Sequence, residues 1–322
     1  MHQKRLNKEE YAKLKVASQA ALNSSIDLFT NCQFNVAWKL YKERSHIALA
    51  GPRFTHIPEY TGGDLKDKTI VVCYEQGLGE QILFAGMLPD LIKDSKKVIV
   101  ECEPRLVSIF QRSFPEVTVV AWQLPYDERV YDADCWILAG DLGIYYRDSL
   151  DKFPIHKGYL KPDPKRVEEL RARLDLSRPL IGLSWASSAQ TTAKFKTVPF
   201  ELLKPIVDGA NCISLQYGAY TDTIPSISGL DLTRDIEGVL ALISLCDYVV
   251  TISNTVAHLA GACGVKTAVL VTNTYGRLFY WTIQTNINPF YPSCRAVFQT
   301  VPGSWKEICE IVVNKVLTSF AK

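Results

Sequence analysis

Two strand-to-helix junctions, one in each half of the chain, hold the residues best suited to chemistry. The first reads Tyr74-Glu75-Gln76-Gly77-Leu78-Gly79-Glu80 after an apolar run. A carboxylate in the first turn of a helix is stabilised by the helix dipole. Held there, Glu80 can accept a proton from a bound substrate; by position alone it can equally be a helix-stabilising Glu. Glu75 precedes the turn and can also point into a cleft. The second junction reads Ile252-Ser253-Asn254-Thr255-Val256-Ala257-His258 after Val249-Val250. Unpaired N–H groups at a helix start attract an anion. Thr255 and His258 share one face of that first turn. A neutral His258 can donate to a phosphate oxygen, or it can be a core histidine beneath the cleft.

Further groups surround the second junction. Ser184-Trp185-Ala186-Ser187-Ser188 ends a strand and leads into a polar stretch, 189–197, carrying Lys194 and Lys196. Hydroxyls at Ser184 and Ser187, exposed N–H groups and a mobile lysine together suit a diphosphate; either lysine can instead be solvated surface. Gln216 follows the run Ile213-Ser214-Leu215, at the strand edge where open α/β sheets bind ligands. Its amide suits a nucleobase or ribose, or a plain turn. No His, Cys or carboxylate stands at metal-ligand spacing from His258, so no metal site is expected. A GxSxG elbow is absent. Gly77-Leu78-Gly79 lacks the third glycine of a dinucleotide fingerprint and the Lys-Ser/Thr of a P-loop.

These groups need strands and helices to hold them. Short β-branched runs predict strands over 69–73, 97–101, 117–121 and 133–138, then 180–185, 211–215, 248–252 and 267–270. Bounded by turns and apolar throughout, they read as buried parallel strands. Helical spacing fills the intervals at 78–91, 104–112, 165–174, 199–207, 236–245 and 255–263. The closing helix over 305–318 offers a face that could pack back on the first domain. Helices over 8–22 and 34–49 precede the alternation, with a linker at 52–67. Pro154, Gly158, Pro162 and Pro164 mark a connection between two modules. The expected division is a helical extension and linker (1–66), an acceptor-side Rossmann-like domain (67–160) and a nucleotide-binding Rossmann-like domain (161–322).

The whole chain sets outer limits. With 322 residues, 47% of them hydrophobic, it can fill two cores. A formal net charge of +2 gives no basic footprint for nucleic acid. No apolar run reaches membrane-spanning length, and Met1-His2-Gln3-Lys4-Arg5 does not open a secretory leader. Disorder is expected only in the first few residues and the last two. Nine scattered cysteines, none in a CxxC pair, fit buried free thiols in a reducing cytoplasm.

The same residues resemble glycosyltransferase family 9, the heptosyltransferase-like enzymes, in the branch often found behind tetratricopeptide repeats. The resemblance rests on Glu75-Gln76-Gly77-Leu78-Gly79-Glu80-Gln81-Ile82-Leu83-Phe84-Ala85 with Leu88-Pro89, and on the strand Ile181 to Ser187. It continues through Lys196-Thr197-Val198-Pro199 and Ser214-Leu215-Gln216-Tyr217-Gly218. Its strongest element is Ser253-Asn254-Thr255-Val256-Ala257-His258-Leu259-Ala260-Gly261-Ala262, followed late by Phe290-Tyr291-Pro292. It implies a GT-B fold, donor in the second domain, acceptor in the first, inversion at the anomeric carbon, and neither metal nor resident cofactor. Glu80 maps to the general base, Lys196 to a donor-phosphate contact, and Asn254, Thr255 and His258 to the diphosphate turn. Three departures stand out. The family's Asp is Glu80, its Asp-Thr pair is Ser253-Asn254, and its polar run Asn-Asp-Arg-Asn-Arg-Ser is Thr192-Ala193-Lys194-Phe195-Lys196-Thr197.

The expected activity is transfer of a heptose or hexose from a nucleotide-diphosphate donor to a glycan, lipid-linked or protein acceptor hydroxyl. Two alternatives stay open: a nucleotide-sugar epimerase of the two-Rossmann-domain kind, and a catalytically degenerate partner subunit. A homo-oligomer is compatible with each.

Overall fold

A computed structural model describes residues 8–44, 54, 56–188, 191–218 and 224–320. The first few residues and the last two, expected to be disordered, and the 45–49 part of the second expected helix lie outside these residues. Two all-parallel sheets form the frame. The first has strand order β3-β2-β1-β4, from β1 (Thr69–Cys73), β2 (Lys97–Cys102), β3 (Thr118–Ala121) and β4 (Cys135–Leu138). Ile70 pairs with Val98 on one side and Cys135 on the other. The second has order β6-β5-β7-β8-β9, from β5 (Leu180–Ser184), β6 (Asn211–Ser214), β7 (Tyr248–Ile252), β8 (Thr267–Val271) and β9 (Cys294–Phe298). Both orders are Rossmann-like. Chain direction across the sheet reverses between β1 and β4 in the first and between β5 and β7 in the second. Such switch points open a crevice at the strands' carboxyl ends.

β-Branched residues buried on both faces, such as Val71, Ile99, Val249 and Val250, make the central strands. The edge strand β9 escaped the sequence reading. Its residues are mostly half-exposed around Arg295, so it lacks the continuous apolar run. The single helix expected over 78–91 is two, Leu78–Ala85 and Leu88–Asp94. Pro89 has no N–H to continue the first helix and its ring would clash one turn back. The first helix runs further than expected, Lys8–Thr30, and the second covers Phe34–Tyr41 before a 3-10 turn, Lys42–Arg44.

The terminal helix Lys306–Phe320 does not cross back as expected. Its stripe Ile308, Cys309, Val312, Val313 and Val316 packs with Ile181, Leu183, Val250 and Leu270 of the second sheet. The two site helices, Leu78–Ala85 and Thr255–Cys263, instead pack directly on each other. The connecting segment supports that contact: Tyr159 and Leu160 amides donate to Ala262 O, and Tyr159 OH donates to Ile82 O at 2.8 Å. One core cluster runs from the N-terminal helices through the first domain into this junction.

Candidate functional site

Glu80 sits half-buried in the first turn of the helix Leu78–Ala85. Its Oε1 accepts a 2.9 Å hydrogen bond from Tyr280 OH, a residue of the other domain. Its Oε2 folds back over Gly77, where an added Cβ would lie 3.0 Å away. Burial, reinforced by the Glu80 charge, holds the Tyr280 phenol well above its usual range, so it stays a donor.

Glu75 is not available in the same way. It is buried and takes Arg44 on both oxygens, Nε at 2.9 Å and Nη2 at 2.6 Å.

Lys196 ends the short helix Ala193–Lys196 and is 8% exposed. Among the described residues its Nζ has no hydrogen-bond or ion-pair partner. Burial lowers its pKa while the Glu80 carboxylate pulls it up. The two opposite charges therefore feel each other across the cleft. Gly276, at φ +94°, covers the lysine stem: an added Cβ would sit 3.3 Å from Lys196 Cε. Lys194 remains exposed, its Nζ 4.9 Å from the Phe195 ring centroid.

Ser184, Gln216 and Asn254 meet at the β5/β7 switch point and bond mainly to one another. Gln216 Oε1 accepts from Ser184 Oγ and from the amides of Trp185 and Ala186. Its Nε2 donates to Ala186 O and Tyr217 O. Both amide hydrogens are used within the fold, where Gln216 clamps the β5 and β6 ends at the edge of the cavity beside β6. Asn254 donates through Nδ2 to Ser184 Oγ at 2.9 Å and caps the helix Thr255–Cys263 through Oδ1 and the Ala257 amide. The Thr255 and Val256 amides open that helix and have no partner within it. Thr255 is half-buried, and the Ser187 amide bonds Thr197 Oγ1 at 3.3 Å. The helix ends at Gly264, in the left-handed region at φ +79°.

His258 is buried at the meeting of the two domains, not out in the cleft. Nδ1 lies 2.9 Å from Tyr291 OH, and the ring packs among Tyr280, Trp281 and Tyr291. Its other edge rests on Gly79: an added Cβ there would be 2.6 Å from Cδ2. Burial, helped by Lys196, pushes its pKa down to about 3. Beside β6 a cavity of about 300 Å3 is bordered by Ser214, Tyr217, Ile227, Leu230, Asp231 and Thr233. No group of three or more His, Cys, Asp or Glu that could hold a metal occurs among the described residues. Nor is any described helix long and apolar enough to cross a membrane.

Sequence reasoning missed Tyr280 and Arg44. The aromatic run Phe279-Tyr280-Trp281 was a signal for the first; nothing local distinguishes the second.

No protein-family model matches the chain. Protein FlbA of Caulobacter vibrioides is 32% identical over 304 residues, covering 84% of this chain and 50% of that protein. The chain thus spans about half the length of this curated relative. Two solved structures share the architecture at 13% identity and a TM-score of 0.54 each. The glycosyl transferase family 9 protein from Veillonella parvula covers 80% of this chain and 98% of its own. The E. coli ADP-heptose LPS heptosyltransferase II covers 78% and 96%. At that identity the likeness establishes the fold: two parallel-sheet Rossmann-like domains in the GT-B arrangement.

Proposed function

We propose that this protein is an inverting, metal-independent glycosyltransferase of the family 9 kind, acting in the cytoplasm on a nucleotide-diphosphate sugar. The observation that carries this reading is the approach of Glu80, in the first turn of its helix, to a buried Lys196 at the end of a short helix, with no hydrogen-bond or ion-pair partner among the described residues. One group can take a proton and the other can receive a phosphate, and they sit close enough to interact.

In the proposed reaction an acceptor hydroxyl from the first-domain side approaches Glu80 Oε2. Glu80 takes its proton as the oxygen attacks the anomeric carbon, which acquires oxocarbenium-like character. The bond to the donor phosphate breaks on the opposite face, inverting the centre. The departing diphosphate needs positive charge and N–H donors. Lys196, the Thr255 and Val256 amides and the Thr255 and Ser187 hydroxyls supply them, so no divalent ion is required. The nucleoside fits the cavity beside β6, over the floor that Gln216 braces. Ser184 and Asn254 hold the phosphate turn in shape. His258 stays neutral and sets the spacing between the domains. The transferred sugar is a heptose or hexose; ADP-heptose is the first donor to try, because one fold relative carries it in its name. The acceptor is a glycan, a lipid-linked sugar or a protein hydroxyl.

The test is calorimetric titration with ADP, GDP, UDP, CDP and dTDP, then with Lys196→Ala. One diphosphate should bind, and the folded variant should bind it at least tenfold more weakly. Donor consumption should continue in EDTA. Binding of none of the five, or a rate abolished by chelator and restored by Mg2+, would overturn the reading.

A further inference from the structure

In an open parallel sheet the switch-point crevice is where ligands settle. In the first domain that crevice, between the exits of β1 and β4, is filled by Arg44, a side chain from the N-terminal helical segment. Arg44 is 4% exposed. It grips Glu75, at the β1 exit, with Nε and Nη2, and reaches Asp141, beyond β4, with Nη1 at 2.7 Å. The Gly140 amide donates to the same Glu75 oxygen at 2.6 Å. A Cβ at Gly140 would lie 2.5 Å from Arg44 Nη2, so the site is shaped around the guanidinium. Burial works against the Arg44 charge, but Glu75 and Asp141 outweigh it and hold the group above its usual range.

The next residue is strained. Gln76 adopts φ +57° without being glycine, a conformation that persists only where neighbours impose it. Its Nε2 donates to Tyr41 OH at 2.8 Å, again a residue of the N-terminal segment. Gln76 leads directly into Gly77 and the turn that carries Glu80.

The same segment also holds Tyr280. Phe29 stacks on Phe279 with centroids 4.3 Å apart, and Tyr41 meets that ring edge-on at 5.0 Å. Thr30 Oγ1 donates to Thr282 Oγ1 at 2.9 Å, and the Gln284 amide donates to Thr30 O. Both partners of the Glu80–Tyr280 hydrogen bond are thus braced by one piece of chain.

We infer that the N-terminal helical segment is a working part of the site, with Arg44 and Tyr41 as positioning residues for Glu80. They act through Glu75 and Gln76, which lead into the turn that carries Glu80. The inference rests on the proposed role of Glu80, and its test separates the two.

The experiment labels the full chain with glutamate enriched in 13C at the side-chain carboxyl and identifies the Glu80 resonance by its loss in Glu80→Gln. Arg44→Lys keeps the charge but loses the forked grip. Tyr41→Phe removes only the hydroxyl bonded to Gln76, and serves if Arg44→Lys fails to fold. In the folded variants the Glu80 resonance should move, and amide exchange at 76–81 should speed up about tenfold with strands β5–β8 unchanged. With ADP-heptose as donor, kcat should fall on the order of 10- to 100-fold at unchanged donor affinity. An unmoved resonance with wild-type exchange at 76–81 would overturn the inference. Absence of donor binding by the wild type would overturn the proposed function alone, with the carboxyl resonance still deciding the positioning role.

Discussion

Tyr280 and Glu80 are hydrogen-bonded across the domain junction at 2.9 Å although 200 residues separate them. The phenol fixes one carboxylate oxygen and leaves the other turned over Gly77. A side chain with three rotatable torsions is thereby held in one orientation. A glutamate reaches one methylene further than an aspartate would, and the tyrosine hydrogen bond holds that longer side chain in place.

Glu80→Gln keeps the size of the side chain and can still accept from Tyr280, but it cannot take a proton. The fold and diphosphate affinity should stay near wild type, and kcat should drop by ~10²–10⁴. Tyr280→Phe should lower kcat less and cost stability of about 1–2 kcal/mol, the usual scale for one hydrogen bond to a partly exposed charged group. Stopped assays with thermal unfolding check both. A Glu80→Gln enzyme as fast as wild type, with chemistry limiting, would move the base role elsewhere. Glu75 and Asp141 would then be poor substitutes, since Arg44 already grips both.

The frame was legible because parallel strands buried on both faces must be short apolar runs, and β1, β5 and β7 are such runs. The helix break before Pro89 is also written in the sequence, in the missing N–H. Gln216 shows the limit of local reading. A strand-end amide looks free in sequence, but its partners at Trp185 and Ala186 stand about 30 residues away, just past the end of the neighbouring strand. Lys196 inverts the usual expectation for lysine: it is buried beneath a loop that includes Gly276, and no pattern in 189–197 announces that loop. Tyr280 and Arg44 matter through contacts made in space, so residue type and spacing carried little trace of them.

Gly79 lets the two site helices touch. A methyl group there would stand 2.6 Å from His258 Cδ2, well inside contact distance, against a ring boxed in by three aromatic side chains. Gly79→Ala should destabilise the protein by about 1–3 kcal/mol, the ordinary cost of overpacking. It should also weaken donor turnover by spreading the cleft. Denaturant unfolding measures the first effect; a wild-type midpoint would mean that the helices separate freely.

His258 makes stability depend on pH. Its pKa is about 3 in the fold and about 6.5 when unfolded. Between those values the unfolded chain binds a proton that the native chain refuses, so stability falls as pH falls through the window and is complete above about pH 6.5. The slope from this residue approaches ~1.4 kcal/mol per pH unit for one proton. His156, also lowered by burial, adds in the same direction. Comparing wild type with His258→Asn between pH 6 and 5, before carboxylates titrate, isolates the contribution. Parallel stability curves for the two proteins would show that His258 does not carry it.

Lys196 should show opposite effects on stability and on binding. An ammonium buried without a partner disfavours the native state, and the depressed direction of its pKa reflects that cost. The Glu80 charge compensates only in part. Lys196→Met keeps the apolar stem and removes the charge, so the ligand-free protein should melt at the same temperature or higher. A bound diphosphate stabilises the native state according to its affinity, and without the ammonium that gain should shrink. Wild type should therefore show the larger rise in melting temperature on adding saturating nucleoside diphosphate, and Lys196→Met the higher or equal starting point. A variant that melts earlier without ligand but gains as much from it would make Lys196 a structural residue. In that case the anion site would rest on the helix start at Thr255 alone.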